Sequence, residues 1–112
     1  MAAVEVQRTS ATRQLDDAMQ SLRASVQAVS ECVHKAGGAT LAEALVQIRE
    51  AGIDPLEAVF ATGVRRFDKS GEYKADGALS LTAWLRWKCK LSGGAASERV
   101  EVARQLEKLP QT

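Results

Sequence analysis

Ser80-Leu-Thr-Ala-Trp-Leu-Arg-Trp-Lys-Cys-Lys-Leu91, continuing as Ser92-Gly-Gly-Ala-Ala-Ser-Glu-Arg-Val-Glu-Val-Ala-Arg-Gln-Leu-Glu-Lys-Leu-Pro110, is the stretch on which the fold turns. Ser80 is placed to cap a helix on which Leu81, Trp84, Leu85 and the stem of Lys88 share one side, while Arg86 and Lys90 share the other. Ser92 is placed to cap a second helix. Its inward face is Ala96, Val100 and Ala103, and Ser97, Glu101, Arg104 and Lys108 form an outward row at steps of four, three and four residues. Pro110 stops it. The spacing predicts a helix, a tight turn and a helix, the outline of a helix-turn-helix.

Moving toward the N-terminus, residues 71–79 are rich in Gly, Asp and Lys and read as a surface loop anchored by Tyr73. Before them, Asp54-Pro55-Leu56-Glu57 is a helix start with proline at the first helical position, where its missing N–H costs nothing. The helix that follows is expected to bury Leu56, Val59, Phe60, Gly63, Val64 and Phe67 and to stop near Ser70-Gly71. Earlier still, Thr40 and Glu43 have the spacing of a capping box. Leu41, Ala44, Leu45 and Ile48 then line one face, and Gly52 closes that helix.

From Ser10 to Ala36, a single stripe holds Leu15, Ala18, Met19, Leu22, Val26, Val29, Cys32, Val33 and Ala36, and Gly37-Gly38 ends it. A helix of that length extends about 40 Å, more than a compact domain of this size needs, so part of the stripe is expected to face a partner. The whole reads as all-α: about five helices in an irregular bundle, with a long N-terminal helix and a helix-turn-helix-like C-terminal pair. Residues 1–9 are expected to be disordered, 10–36 to form the long helix and 40–112 the helical core. Phe60, Phe67, Tyr73, Trp84, Leu85 and Val100 are its expected anchors. There is no strand alternation, internal repeat or low-complexity segment.

Composition agrees. The 112 residues suit one domain, and 46% are apolar but only five are aromatic, so Ala, Val and Leu must fill most of the interior, which favours helices. Fifteen basic residues against fourteen acidic ones exclude a strongly polycationic nucleic-acid binder. The distribution is uneven: residues 1–79 carry nine Lys/Arg and eleven Asp/Glu, residues 80–112 six and three. No window approaches a membrane span and the start lacks a signal-peptide pattern, so a cytoplasmic protein with reduced Cys32 and Cys89 is expected.

Catalysis needs a nucleophile with its base, a carboxylate pair or metal ligands at workable spacing, and the chain offers little of this. His34, the only histidine, falls off the apolar stripe on the solvent side, as an ordinary surface residue does. Cys32 and Cys89 read as small core or near-core residues. Gly37-Gly38 and Gly93-Gly94 follow no strand and lack the end of a Walker loop, so they read as turns, and no cofactor is expected. The C-terminal pair is the more informative feature. Arg86, Lys88, Lys90, Arg99, Arg104 and Lys108 are placed to reach phosphates, with Ser97, Arg99 and Arg104 the first candidates for base edges. Against this, Glu98, Glu101 and Glu107 dilute the field, Arg86 stands where a helix-turn-helix packs a small residue, and Arg99 where it packs an apolar one. Trp84 and Trp87 read first as core anchors or a partner-facing patch.

At these residues the chain resembles a known family. Phe67-Asp, Gly71, Tyr73, Ala75-Asp-Gly-Ala78, Ser80-Leu and Ala83-Trp-Leu85, then Leu91-Ser92, Ala95, Arg99-Val100, Ala103-Arg, Leu106 and Leu109-Pro110, occur in order. The pattern is similar to the N-terminal part of the actinobacterial domain of unknown function 222, commonly found upstream of an HNH endonuclease module, including in a repeated mycobacterial family. The likeness covers roughly residues 40–112. It implies further helices and a nuclease module whose histidine and cysteine residues are not in this sequence. The expectation is therefore a non-catalytic segment, an incomplete N-terminal portion of a larger domain, that contributes packing or interaction surface. Its expected partners are the remainder of such a nuclease or a self-associating copy. The alternative is a small DNA-binding module that uses the pair over 80–109. No membrane or small-molecule partner is expected.

Overall fold

The computed structural model describes the backbone of residues 2–108 and the side chains of residues 10–106 and 108. Its described residues are helices and short connections, with no strand among them. The chain divides into two compact units, Met1–Gln47 and Ile48–Thr112.

The first unit holds α1, Ala2–Lys35, and α2, Gly38–Gln47. The helix takes in residues 2–9, where disorder was expected. Ala2-Ala3-Val4-Glu5-Val6-Gln7-Arg8 contains neither Gly nor Pro to stop it. His34 and Lys35 close α1 with basic side chains beside the negative end of the helix dipole. The capping box expected at Thr40 and Glu43 does not set the start of α2. The Leu41 N–H donates to the Gly37 carbonyl at 2.9 Å, so the helix already runs from Gly38 and Thr40 lies within its first turn. Glycine is accepted at an N-cap, which lets the chain turn helical as soon as α1 ends. No described residue of α1 or α2 is buried, and Cys32, expected near a core, is exposed.

The second unit opens on a π-helical segment, Ile48–Ile53, that joins α2 to α3, Asp54–Ser70, without an intervening loop. Gly52 therefore does not close a helix, and Asp54 is no cap: the N-cap position is Ile53, in right-handed helical conformation. Pro55 is the physical cause. It lacks an N–H and crowds the carbonyl of residue 51, and the wider π ladder carries the chain past that point. Asp54 instead pairs with Arg49 at 3.0 Å, across the π turn. Counted as uninterrupted runs, the five α-helices form four, because Gly38–Ser70 is continuous.

α3 ends on Gly71, whose φ of 71° is the left-handed conformation glycine adopts without strain. A 3₁₀ turn at Glu72–Lys74 and a short loop lead to α4, Leu81–Lys88, and then to α5, Gly93–Lys108. Both serine caps form as the sequence predicts. Ala83 N–H donates to Ser80 Oγ at 3.0 Å and Ala95 N–H to Ser92 Oγ at 3.1 Å. The stop expected at Pro110 lies outside the described residues.

α5 packs against both α3 and α4. The core is Val64 of α3, Leu81 and Leu85 of α4, and Ala96, Val100 and Ala103 of α5, with Phe60, Phe67, Tyr73, Trp84, Cys89 and Leu91 packed around it. The two alanines on α5 let the larger Leu81 and Leu85 come close, which fits a chain poor in aromatics. All six expected anchors belong to this assembly. Leu56 and Val59, expected inside, are 44% and 67% exposed, whereas the α3 side chains that pack in the core are Phe60, Val64 and Phe67.

Candidate functional site

The residues proposed to reach DNA are distributed over α4, the turn and α5, and tertiary contacts give them different roles. Arg99 points to α3. Its guanidinium binds Glu57 with both forks, Nη1 to Oε2 and Nη2 to Oε1, the latter at 3.0 Å. Both side chains are about half covered, 38% and 43% exposed, and bidentate geometry is the favourable form of this pair. Arg99 stands where a helix-turn-helix packs an apolar side chain, and here it holds α5 to α3 instead of facing a groove.

Arg104 makes a second tie between the same helices. Its Nε donates to Asp68 Oδ2 at 3.2 Å and its Nη2 reaches Oδ1 at 3.5 Å. The hydrogen bond and charge of Asp68 raise the guanidinium's pKa above its ordinary value, the hydrogen bond being the larger cause. Two of the six proposed contacts are therefore engaged in the fold. Arg86 is exposed, but its guanidinium lies against the first turn of α5: a Cβ placed on Gly93 would meet Arg86 Cζ at 3.7 Å. Lys90 is not on the face of α4 with Arg86, since α4 ends at Lys88. It occupies the turn at φ 60°, a left-handed position usually held by glycine. Ser97 and Lys108 remain exposed on α5 as expected.

Arg65, Lys69, Arg104 and Lys108 line one shallow depression of about 250 Å³ between α3 and α5. Asp68 and Glu101 line it too, so its field is mixed. Four basic and two acidic side chains therefore share the depression.

The tryptophans separate. Trp84 is half-buried against Phe67, ring centroids 4.5 Å apart, and its Nε1–H donates to Asp76 Oδ2 at 2.8 Å, which pins the 71–79 loop to α4. Phe67 also meets Tyr73 edge-on at 6.4 Å, so Tyr73 anchors the loop as expected. Trp87 is more than half exposed, and the Lys88 ammonium sits 4.0 Å from its ring centre. Lys88 therefore covers Trp87 rather than sending its stem to the core.

Sequence reasoning missed Glu57 and Asp68, the carboxylates that claim Arg99 and Arg104. The available signal was opposite charge on α3 at an eleven-residue step, but nothing local to α5 points to it. His34 stays exposed with Nδ1 2.7 Å from the Ser30 carbonyl oxygen. Among the described residues no group of three His, Cys, Asp or Glu side chains gathers to hold a metal. No described helix is long and apolar enough to cross a membrane.

Large apolar side chains stand exposed in each unit: Leu15, Met19, Val26 and Val29 on α1 and Leu45 and Val46 on α2 in the first, and Ile53, Leu56, Val59, Leu79, Trp87 and Val102 in the second. Comparison of the chain with family models, curated proteins and solved structures finds no match.

Proposed function

We propose that this protein is a non-catalytic helical interaction module that contributes packing surface to a larger protein or assembly. One observation carries the reading. Among the described residues the buried core is six side chains of the second unit, while helices of both units leave large apolar side chains open to water. Isolated apolar side chains on a surface need no explanation, but an uncovered stripe along one helix, such as Leu15, Met19, Val26 and Val29 on α1, supports a partner-facing role. The resemblance of roughly residues 40–112 to the N-terminal part of the domain of unknown function 222 is in keeping with this reading, since that family's segment sits beside a nuclease module and carries no nuclease residues itself. DNA binding through 80–109 has less support, because Arg99 and Arg104 are paired with Glu57 and Asp68.

The test pairs two titrations of the purified chain. The hydrophobic dye anilinonaphthalene sulfonate should bind with enhanced fluorescence, and a Leu56→Ser, Val59→Ser variant should bind less of it while Trp84 emission is unchanged. Fluorescence anisotropy with a random duplex at low salt should show no saturable binding. Duplex binding that weakens steeply with salt and disappears in Arg86→Glu, Lys108→Glu would overturn the proposal in favour of the DNA module.

A further inference from the structure

The stripe on α1 has a stricter order than amphipathicity requires. Leu15, Met19, Leu22, Val26, Val29 and Val33 follow one another at steps of four, three, four, three and four residues, an unbroken heptad pattern with Met19, Val26 and Val33 at a and Leu15, Leu22 and Val29 at d. A strict seven-residue repeat drifts around a straight helix and stays on one line only when two helices wind about each other. The large apolar side chains are confined to a and d. The flanks are Asp16, Arg23 and Ser30 at e and the small Ala18, Ser25 and Cys32 at g, where a helix seated on a globular core carries a third column of large apolar residues. Every one of these seam residues is open or only partly covered, with Leu15 60% and Val26 59% exposed. The side-chain hydrogen bond from Gln27 to Glu31, at positions b and f, lies on the opposite, outer face.

We infer that α1 pairs with α1 of a second copy of this chain as a parallel two-stranded coiled coil over Leu15–Val33. Two features select that occupant. The seam fits itself, because β-branched Val26 and Val33 at a with Leu15 and Leu22 at d is the combination that favours two parallel strands. Charge then selects the direction. In the parallel register, Arg23 lies beside Ala18 of the second copy and Ser30 beside Ser25, so no like charges meet. The antiparallel alignment that overlaps the whole seam sets the two Arg23 side chains against each other at the centre. The small g residues allow the second helix to approach closely. The pairing gives the interaction module its first partner and rests on that reading of the chain.

Sedimentation equilibrium of the full chain over a range of concentrations tests it. The expected result is twice the chain mass, with helicity by circular dichroism rising as the dimer forms. Leu22→Lys with Val26→Lys should return the mass of one chain, Ala24→Lys at the outer f position should leave the dimer intact, and Trp84 emission should report an unaltered second unit in both. Direction is read by mild oxidation of Leu15→Cys in a Cys32→Ala, Cys89→Ala background. Parallel strands place the two thiols side by side and cross-link, whereas antiparallel strands hold them far apart. A monomer at the highest soluble concentration, a dimer indifferent to Leu22→Lys with Val26→Lys, or failure to cross-link overturns the inference. A monomer that still binds the dye leaves the interaction reading standing without this partner. A monomer that binds no dye removes both.

Discussion

Separating the pair Glu57–Arg99 is the most direct way to ask whether Arg99 belongs to the fold or to a ligand. Three reference values bracket the magnitude. A loose surface ion pair contributes about 0.2–1 kcal/mol. A hydrogen bond to a charged group contributes about 1.5–3 kcal/mol. Removing one partner of a fully buried pair costs about 3–5 kcal/mol. Glu57 and Arg99 are each about half covered and joined by two hydrogen bonds, so a coupling energy of about 1 kcal/mol is expected. The unit Ile48–Thr112 is small enough to hold a total stability of roughly 3–10 kcal/mol, and a 1 kcal/mol change shifts the midpoint of a domain of this size by about 4–8 °C. The assay is a double-mutant cycle of Glu57→Ala and Arg99→Ala by urea unfolding. It is followed through Trp84, which sits against Phe67 in this unit, in a Trp87→Phe background that removes the exposed indole. The double variant should be less unstable than the two single changes predict together, and the charge-swapped Glu57→Arg, Arg99→Glu chain should recover part of the loss. Coupling below about 0.2 kcal/mol would refute the assignment and return Arg99 to the list of available cations.

Leu85, 2% exposed at the centre of the core, should cost about 2.7–5 kcal/mol on truncation to alanine, bringing the second unit close to unfolding in thermal melts while leaving α1 helicity in place. Ser80→Ala and Ser92→Ala should each lower stability by about 0.5–2 kcal/mol through the uncapped Ala83 and Ala95 N–H groups, and Asp or Asn at either position should restore it. Lys90→Gly should stabilise the turn between α4 and α5 by about 1 kcal/mol, since glycine takes the left-handed conformation without the clash that lysine suffers, and a lower urea midpoint would contradict this. Asp76→Ala should release the Trp84 indole N–H to water and redshift its emission, with a stability loss of about 0.5–1.5 kcal/mol as the loop comes free.

How much could be read from the chain differs between local and long-range features. The serine caps, the end of α3 at Gly71 and the inward face Ala96, Val100 and Ala103 depend on residues within one or two turns, and each appears where the spacing places it. Thr40 and Asp54 also carry good local start signals, yet neither starts a helix by capping. The chain enters α2 earlier through Gly37 and passes Pro55 through a π turn, so the helical run is longer than its punctuation suggests. The candidate site was legible as a set of cations and misread as to where they point. Arg99 and Arg104 read as candidates for phosphates and base edges until Glu57 and Asp68 of α3 are brought beside them.

The sequence by itself determined the all-α class, the long first helix, the capped pair α4 and α5 and the repeat of apolar residues along α1, because hydrogen bonds and side-chain periodicity within a helix are set by neighbours three and four residues away. Only the tertiary structure decided which apolar faces are covered and which charges are engaged. Those outcomes depend on where α5 meets α3, and a contact between residues some forty positions apart leaves no periodic trace in the chain. Leu56 and Val59 carry the same pattern as Phe60 and Val64 and end in water instead of in the core, although Glu57 between them is held by Arg99 of α5.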